Sequence, residues 1–188
     1  MGLVELDGAL GESTSQAMKH DMTEAAFPAR APTGERAQID ALMRAFYEVI
    51  SFGHGGEPDW ERMQRLFSPH ARITRITPDG TDYLDLPGFQ ELVKEALDVG
   101  VYTRFFEAEV LRDERRFGAL AHVLSAYETK QSPAAKEALA RGVNSLQLIK
   151  EDGEWKVLSL AWDEERVDNP LTLGNLFDSG EANGQTHP

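Results

Sequence analysis

Between Val143 and Asp163 two runs of alternating apolar residues, Val143 to Lys150 and Glu154 to Asp163, face each other across Asp152-Gly153. A two-residue Asp-Gly between such runs predicts a tight β-hairpin, because both turn positions need positive φ and these residues tolerate it. The register of a hairpin is set by its turn, so the two strands are fixed against each other at the sequence level. Any fold for this chain has to end in that pair of antiparallel strands.

The first half of the chain has a different period. Ile39, Leu42, Met43, Phe46, Val49 and Ile50 recur at helical spacing after Pro32-Thr33, one apolar stripe of an amphipathic helix. Gly53, Gly55 and Gly56 end it. Pro58-Asp59 opens a short second helix carrying Trp60, Met63, Leu66 and Phe67, and Ser68-Pro69-His70 breaks it. A strand is expected over Ala71 to Thr77, then a turn at Pro78-Asp79-Gly80 and an extended piece from Thr81 to Leu86. Pro87 suits the first turn of a third helix, with Phe89, Leu92, Val93, Ala96 and Leu97 on its buried face and Gly100 at its end.

Beyond Gly100 the pattern alternates. Thr103 to Arg112 reads as a strand, Asp113 to Arg116 as a polar turn, and Phe117 to Lys130 as a long strand. The Ala-rich stretch from Ser132-Pro133 to Arg141 has helical propensity. Helices first and strands last predict an α+β domain with helices on one face of an antiparallel sheet. The expected domains are a flexible N-terminal arm at 1–34, the folded domain at 35–167, and a partly disordered C-terminal tail at 168–188. Leu171, Leu173, Leu176 and Phe177 of that tail are expected to lie back on the body.

Two stretches resemble a known family. RGVNSLQLIKEDGEWKVLSLAWDEE (Arg141 to Glu165) looks like the final hairpin of SnoaL-like proteins. FYEVISFGHGGEPDWERMQRLFSPHARI (Phe46 to Ile73) looks like the first helix of the NTF2-like superfamily running through a short second helix into the first strand. The resemblance covers about residues 35–167 and points to bacterial members. It implies a cystatin-like cone: a curved antiparallel sheet with three helices on its concave side, whose mouth is a natural small-molecule site. It also implies either a cofactor-free isomerase, dehydratase or cyclase, or a non-catalytic dimerisation or partner-binding module, since the fold hosts both.

Composition narrows the chemistry. The 188 residues include no cysteine, which excludes disulfides, thiol nucleophiles and cysteine metal sites. The five histidines show no pairing at i, i+3 or i, i+4, so no metal is expected. No Gly-rich phosphate loop is present, and no cofactor is expected. A net charge of −13 with no basic patch disfavours nucleic acid. No apolar run reaches membrane-spanning length, and the N-terminus has acids early and no apolar core of a signal peptide. A cytoplasmic protein is the expectation.

Eight residues stand out as candidates. His122 sits among Leu120, Leu124 and Ala126 and is the first choice for a catalytic acid/base; the other reading is a core histidine satisfied by a polar neighbour. Glu107 and Glu109 share a strand face. They form either an acid/base pair in an apolar cone or a solvated face paired with Arg104, Arg112 or Arg141. Asn144 and Gln147 lie on opposite faces of their strand, and whichever points inward can bind a ligand carbonyl. Tyr47, Tyr127 and Trp162 are placed at the cone, suiting a small apolar or aromatic ligand. Val157, Ser159 and Ala161 form a small-residue face through which the sheet would pair in a homodimer.

Overall fold

The computed structural model describes residues 33–172. Three helices and six strands follow one another: α1 (Thr33–Ile50), α2 (Trp60–Leu66), β1 (Phe67–Thr77), β2 (Gly80–Leu84), α3 (Leu86–Asp98), β3 (Phe106–Phe117), β4 (Leu120–Lys130), β5 (Ala140–Glu151) and β6 (Glu154–Glu164). The strands make one curved, unclosed sheet in the order β2-β1-β6-β5-β4-β3. Every neighbouring pair is antiparallel except β1 and β6, which run parallel. The sheet is therefore mixed, where an antiparallel one was expected. Helix α3 and the remaining strands separate β1 from β6 in sequence, long enough for the crossover a parallel pair requires.

The helices start where side chains satisfy free backbone N–H groups. Asp59 caps α2 by accepting from Arg62 N at 3.0 Å, and Asp85 caps α3 by accepting from Gly88 N at 2.9 Å. Helix α1 lays Ile39, Met43, Phe46 and Val49 on the sheet, where Ile73, Val123, Leu146, Leu148 and Val157 are buried with them. Each such side chain contributes about 1.5–3 kcal/mol of burial. Glu35 in the first turn of α1 ties the helix to the last hairpin, accepting from Lys150 Nζ at 2.6 Å and Trp155 Nε1 at 2.8 Å. At that hairpin Asp152 and Gly153 have φ of 50° and 87°, the positive values the turn demands.

Four local expectations change. The charged run 113–116 is not a turn, because β3 continues through it to Phe117 and the chain reverses at Gly118, with φ 57°. Ser68-Pro69-His70 lies inside β1, and 131–139 is a loop with no helix. The register shifts between Gln147 and Leu148 of β5, leaving Leu158 as an extra residue in β6. That bulge turns Val157 into the core, away from the face it was expected to share with Ser159 and Ala161. Of the tail, Leu171 lies within the described residues, while Leu173, Leu176 and Phe177 fall outside them, as does the arm at 1–32.

Gly142 on β5 lies opposite Tyr127 on β4. A Cβ at Gly142 would sit 2.5 Å from the Tyr127 hydroxyl and 2.6 Å from the Asp163 carbonyl oxygen. The tyrosine ring occupies the space a side chain would take. Gly142→Ala should therefore destabilise the protein by about 1–3 kcal/mol, read as a lowered Tm in calorimetry; an unchanged Tm would mean the ring does not rest there.

Candidate functional site

A cavity of about 880 Å³ opens between α3 and the inner face of the sheet. Apolar side chains make most of its wall: Phe89, Leu92, Val93 and Ala96 from α3, Phe52 and Phe105 beside an isolated bridge, and Leu160 and Trp162 from β6. Phe89 packs edge-on against both Trp60 and Trp162, with ring centroids 6.3 and 6.0 Å apart. Trp60 stands behind that wall, and its Nε1 donates to Glu57 Oε2 at 2.8 Å. Charged groups gather at the end of β6, where Asp163, Glu164, Glu165 and Arg166 border the same cavity.

Among the polar side chains that line this space, Glu107, Tyr127 and Asn144 lie together on adjacent strands β3, β4 and β5. Glu107 Oε1 accepts from Asn144 Nδ2 at 3.1 Å. Burial raises the Glu107 carboxyl from the ordinary 4.5 to about 8; the Asn144 hydrogen bond opposes that rise, and the charge of Glu164 adds to it. A carboxyl in this state is mostly a neutral acid at pH 7. Burial also pushes the Tyr127 phenol well above its usual range, reinforced by the charge of Glu107. Among the described residues no side chain or backbone group hydrogen-bonds the Tyr127 hydroxyl.

Tyr47 does not line the cavity. Its hydroxyl lies behind Asn144, 3.3 Å from Nδ2, and meets Ser125 Oγ at 2.6 Å. Ser125 Oγ donates to Glu109 Oε2 at 2.5 Å. Glu109 is paired through Oε1 with Arg112 Nε at 3.2 Å, and Arg112 Nη2 binds Asp40 of α1 at 2.5 Å. The two glutamates thus differ in role: Glu107 faces the cavity, while Glu109 is spent in a polar seam between β3 and α1.

His122 lies on the other face of the sheet. Its inward neighbours along β4 are Ala121, Val123, Ser125 and Tyr127, whereas His122 itself faces outward, with Nε2 3.2 Å from Ser145 Oγ. It is not part of the cavity wall and not a core residue either: it is half-buried on the outer face beside Ser145. Gln147 is its cross-strand partner and faces outward too. The candidates divide by face: Glu107, Tyr127, Asn144 and Trp162 at the cavity, Tyr47 one bond behind it, His122 and Gln147 outside. Ser125 was not singled out from sequence, whereas Arg112, named there as a salt-bridge partner for the two glutamates, pairs with Glu109. Strand parity with Tyr127 signals Ser125, and the bulge after Glu109 is what turns Arg112 to the inner face. Among the described residues no group of three or more His, Asp or Glu side chains could hold a metal ion, and no described helix is long and apolar enough to cross a membrane.

No family model matches the chain, and no curated protein matches it. Solved structures do. A protein of unknown function with a cystatin-like fold from Nostoc punctiforme superposes with a TM-score of 0.58 at 11% identity, covering 73% of this chain and 96% of that one. An NTF2-like protein of unknown function from Silicibacter pomeroyi gives 0.51 at 18% identity, over 72% of this chain and 100% of that one. LinA gives 0.54 at 13% identity, over 74% of this chain and 90% of that one. The architecture is thus the cystatin-like α+β cone. Within that class, the chain has the NTF2-like fold.

The raised carboxyl has a consequence for stability. An unfolded Glu107 ionises near 4.5, the folded one near 8. The unfolded chain therefore binds fewer protons between those values, and folding stability falls across that window as pH rises. Glu107→Gln should remove this loss, gaining on the order of a few kcal/mol at pH 8 relative to pH 4. Denaturant titrations of both proteins at the two pH values measure it; parallel pH dependence would show Glu107 titrating normally.

Proposed function

We propose that this protein is a SnoaL-like enzyme that binds a flat, apolar small molecule in the cone and moves a proton at a carbon next to a carbonyl group, without a cofactor. The carrying observation is the Glu107 carboxyl, raised to about 8 within a mostly apolar cavity. A base of that strength, ionised in roughly a tenth of the molecules at pH 7, is matched to proton abstraction from carbon. The Glu107 carboxylate takes the C–H proton, and the C–H electron pair moves towards the carbonyl oxygen to give an enolate. The free Tyr127 hydroxyl donates a hydrogen bond to that oxygen. Return of the proton to another carbon completes an isomerisation; its transfer instead to a β-hydroxyl, which leaves as water while the enolate electrons form the new C=C bond, completes a dehydration. Trp162 and Phe89 supply flat apolar walls for the ligand. His122 has no part in this step.

A thermal-shift screen of aryl ketones and cyclic enones finds a ligand, and deuterium uptake from D2O at its α-carbon, read by mass spectrometry, tests the chemistry. The rate should climb with pH to a plateau above about 8. Glu107→Gln should lower it by about 100-fold or more and Tyr127→Phe by about 10-fold or more, with His122→Ala unchanged. Uptake that survives Glu107→Gln would remove the proposed base. Ligands that bind without any exchange would make the domain a binder.

A second reading is a module that pairs through the sheet. It is favoured by the outer face, where no described helix packs and Leu111 and Leu120 remain 37% and 49% exposed. Leu124, Val143 and Ile149 lie between them on the same face. Such a surface suits an isologous two-fold contact. Light scattering should then give a dimer mass for the wild type and a monomer mass for Leu120→Glu; a monomeric wild type at tens of micromolar ends this reading.

A further inference from the structure

The polar chain behind the cavity has a direction, and Glu109 sets it. Glu109 is a carboxylate paired with Arg112, so it can only accept. Ser125 spends its single hydroxyl proton on Glu109 Oε2. The Ser125–Tyr47 contact at 2.6 Å then has one consistent sense, with Tyr47 donating. Tyr47, its own proton committed, must accept from the next group, and Asn144 Nδ2 stands 3.3 Å away. The remaining N–H of that amide points to Glu107 Oε1 at 3.1 Å. Four hydrogen bonds follow from one charge, because each hydroxyl has one proton to give.

We propose that Glu109, held by Arg112, is a positioning residue for Glu107: through Ser125, Tyr47 and Asn144 it keeps an N–H group on Oε1 and so assigns the acidic proton to Oε2. This rests on the reading of Glu107 as the acid/base. It explains why Asn144 presents its amide nitrogen to an acid that is itself mostly protonated. Left to itself, a neutral carboxyl would donate to the amide oxygen as readily as it accepts from the nitrogen. The Arg112–Asp40 bond at 2.5 Å extends the anchor to α1, which also carries Tyr47. One helix and three adjacent strands thus hold the chain at both ends.

Substituting Glu109 by glutamine separates this from an ordinary field effect, because the two predict opposite signs. The Arg112 guanidinium demands an oxygen, so the new amide nitrogen must face Ser125. Ser125 then accepts, and its proton turns to Tyr47. The Tyr47 proton turns to Asn144, whose amide flips to present Oδ1. Glu107 now meets an acceptor, which favours its protonated form and raises its pKa. Simple loss of the negative charge at Glu109 would instead lower it. The other titratable and charged groups around Glu107 are not substituted in the variant: Tyr47 on α1, Tyr102 before β3, Tyr127 on β4 and Glu164 on β6, with Arg75 on β1 and Glu95 on α3 bordering the cavity.

The test is a titration of the free protein with ¹³C-labelled glutamate carboxyls, Glu107 being assigned from the resonance missing in Glu107→Gln. Glu109→Gln should raise the Glu107 midpoint by about one pH unit. Ser125→Ala, which cuts the chain without touching a charge, should move it the same way. Glu114→Gln, which changes a neighbour of Arg112 outside the chain, should leave it in place. A fall or no change in both Glu109→Gln and Ser125→Ala, with Tm showing folded proteins, overturns the positioning role. A wild-type midpoint near 4.5 would instead overturn the acid/base reading itself, so the two failures are told apart.

Discussion

Two one-residue bulges decide which side chains the cone receives. In β3 the register against β4 steps between Glu109 and Leu111, leaving Val110 unmatched. In β6 it steps at Leu158. A regular strand would alternate without interruption, so that Glu107 and Glu109 would be followed inward by Leu111 and Asp113. The bulge sends Arg112 and Glu114 inward instead and brings Arg112 to Asp40 and Glu109. The second bulge lets Trp155 and Trp162, an odd number of residues apart, face the same side. Without it, either the core beneath α1 or the cavity wall would lose its tryptophan.

The inner face that results is graded. Near α1 and the middle of the sheet it is dry and close-packed, with Phe46, Met43, Ile73 and Leu146 essentially inaccessible. Towards α3 the packing opens. Helix α3 has no fully buried residue, and its apolar face borders the cavity. Along β3 the face is charged. Buried charges are costly unless paired: Arg112 pairs with Asp40 and Glu109, and Ser125 donates to Glu109 from behind. Glu107 is the member of that row without a cation, and it takes the alternative open to a buried carboxyl, holding its proton. The same strand therefore supplies a structural ion pair and a candidate acid two residues apart.

Much of this was legible beforehand. The helix over 33–50 follows from its apolar stripe, the start of α2 from Pro58-Asp59, that of α3 from Pro87, and the final hairpin from Asp152-Gly153. Glu107, Tyr127, Asn144 and Trp162 could be named as candidates because polar or aromatic residues in alternating strands stand out. The face of each was another matter. His122 interrupts leucines that proved to be outward-facing, so its apolar surroundings in sequence were those of the outer surface. Leu111, expected beside Glu109, is turned out by the bulge between them. Periodicity carries a strand's alternation but not its phase, and one extra residue reverses the phase.

By itself, the sequence determined the three helices, most of the strands and the last hairpin. Those depend on backbone preferences and on apolar spacing within about a dozen residues. Tertiary structure alone decided the parallel pairing of β1 with β6, the inward turn of Glu107 and the chain from Arg112 to Asn144. Each of these joins residues far apart in the chain, and each depends on bulges whose positions are chosen by packing across strands. The reason is physical: a turn is settled by the φ its own residues can adopt, whereas the environment of a carboxyl is settled by everything that excludes water from it.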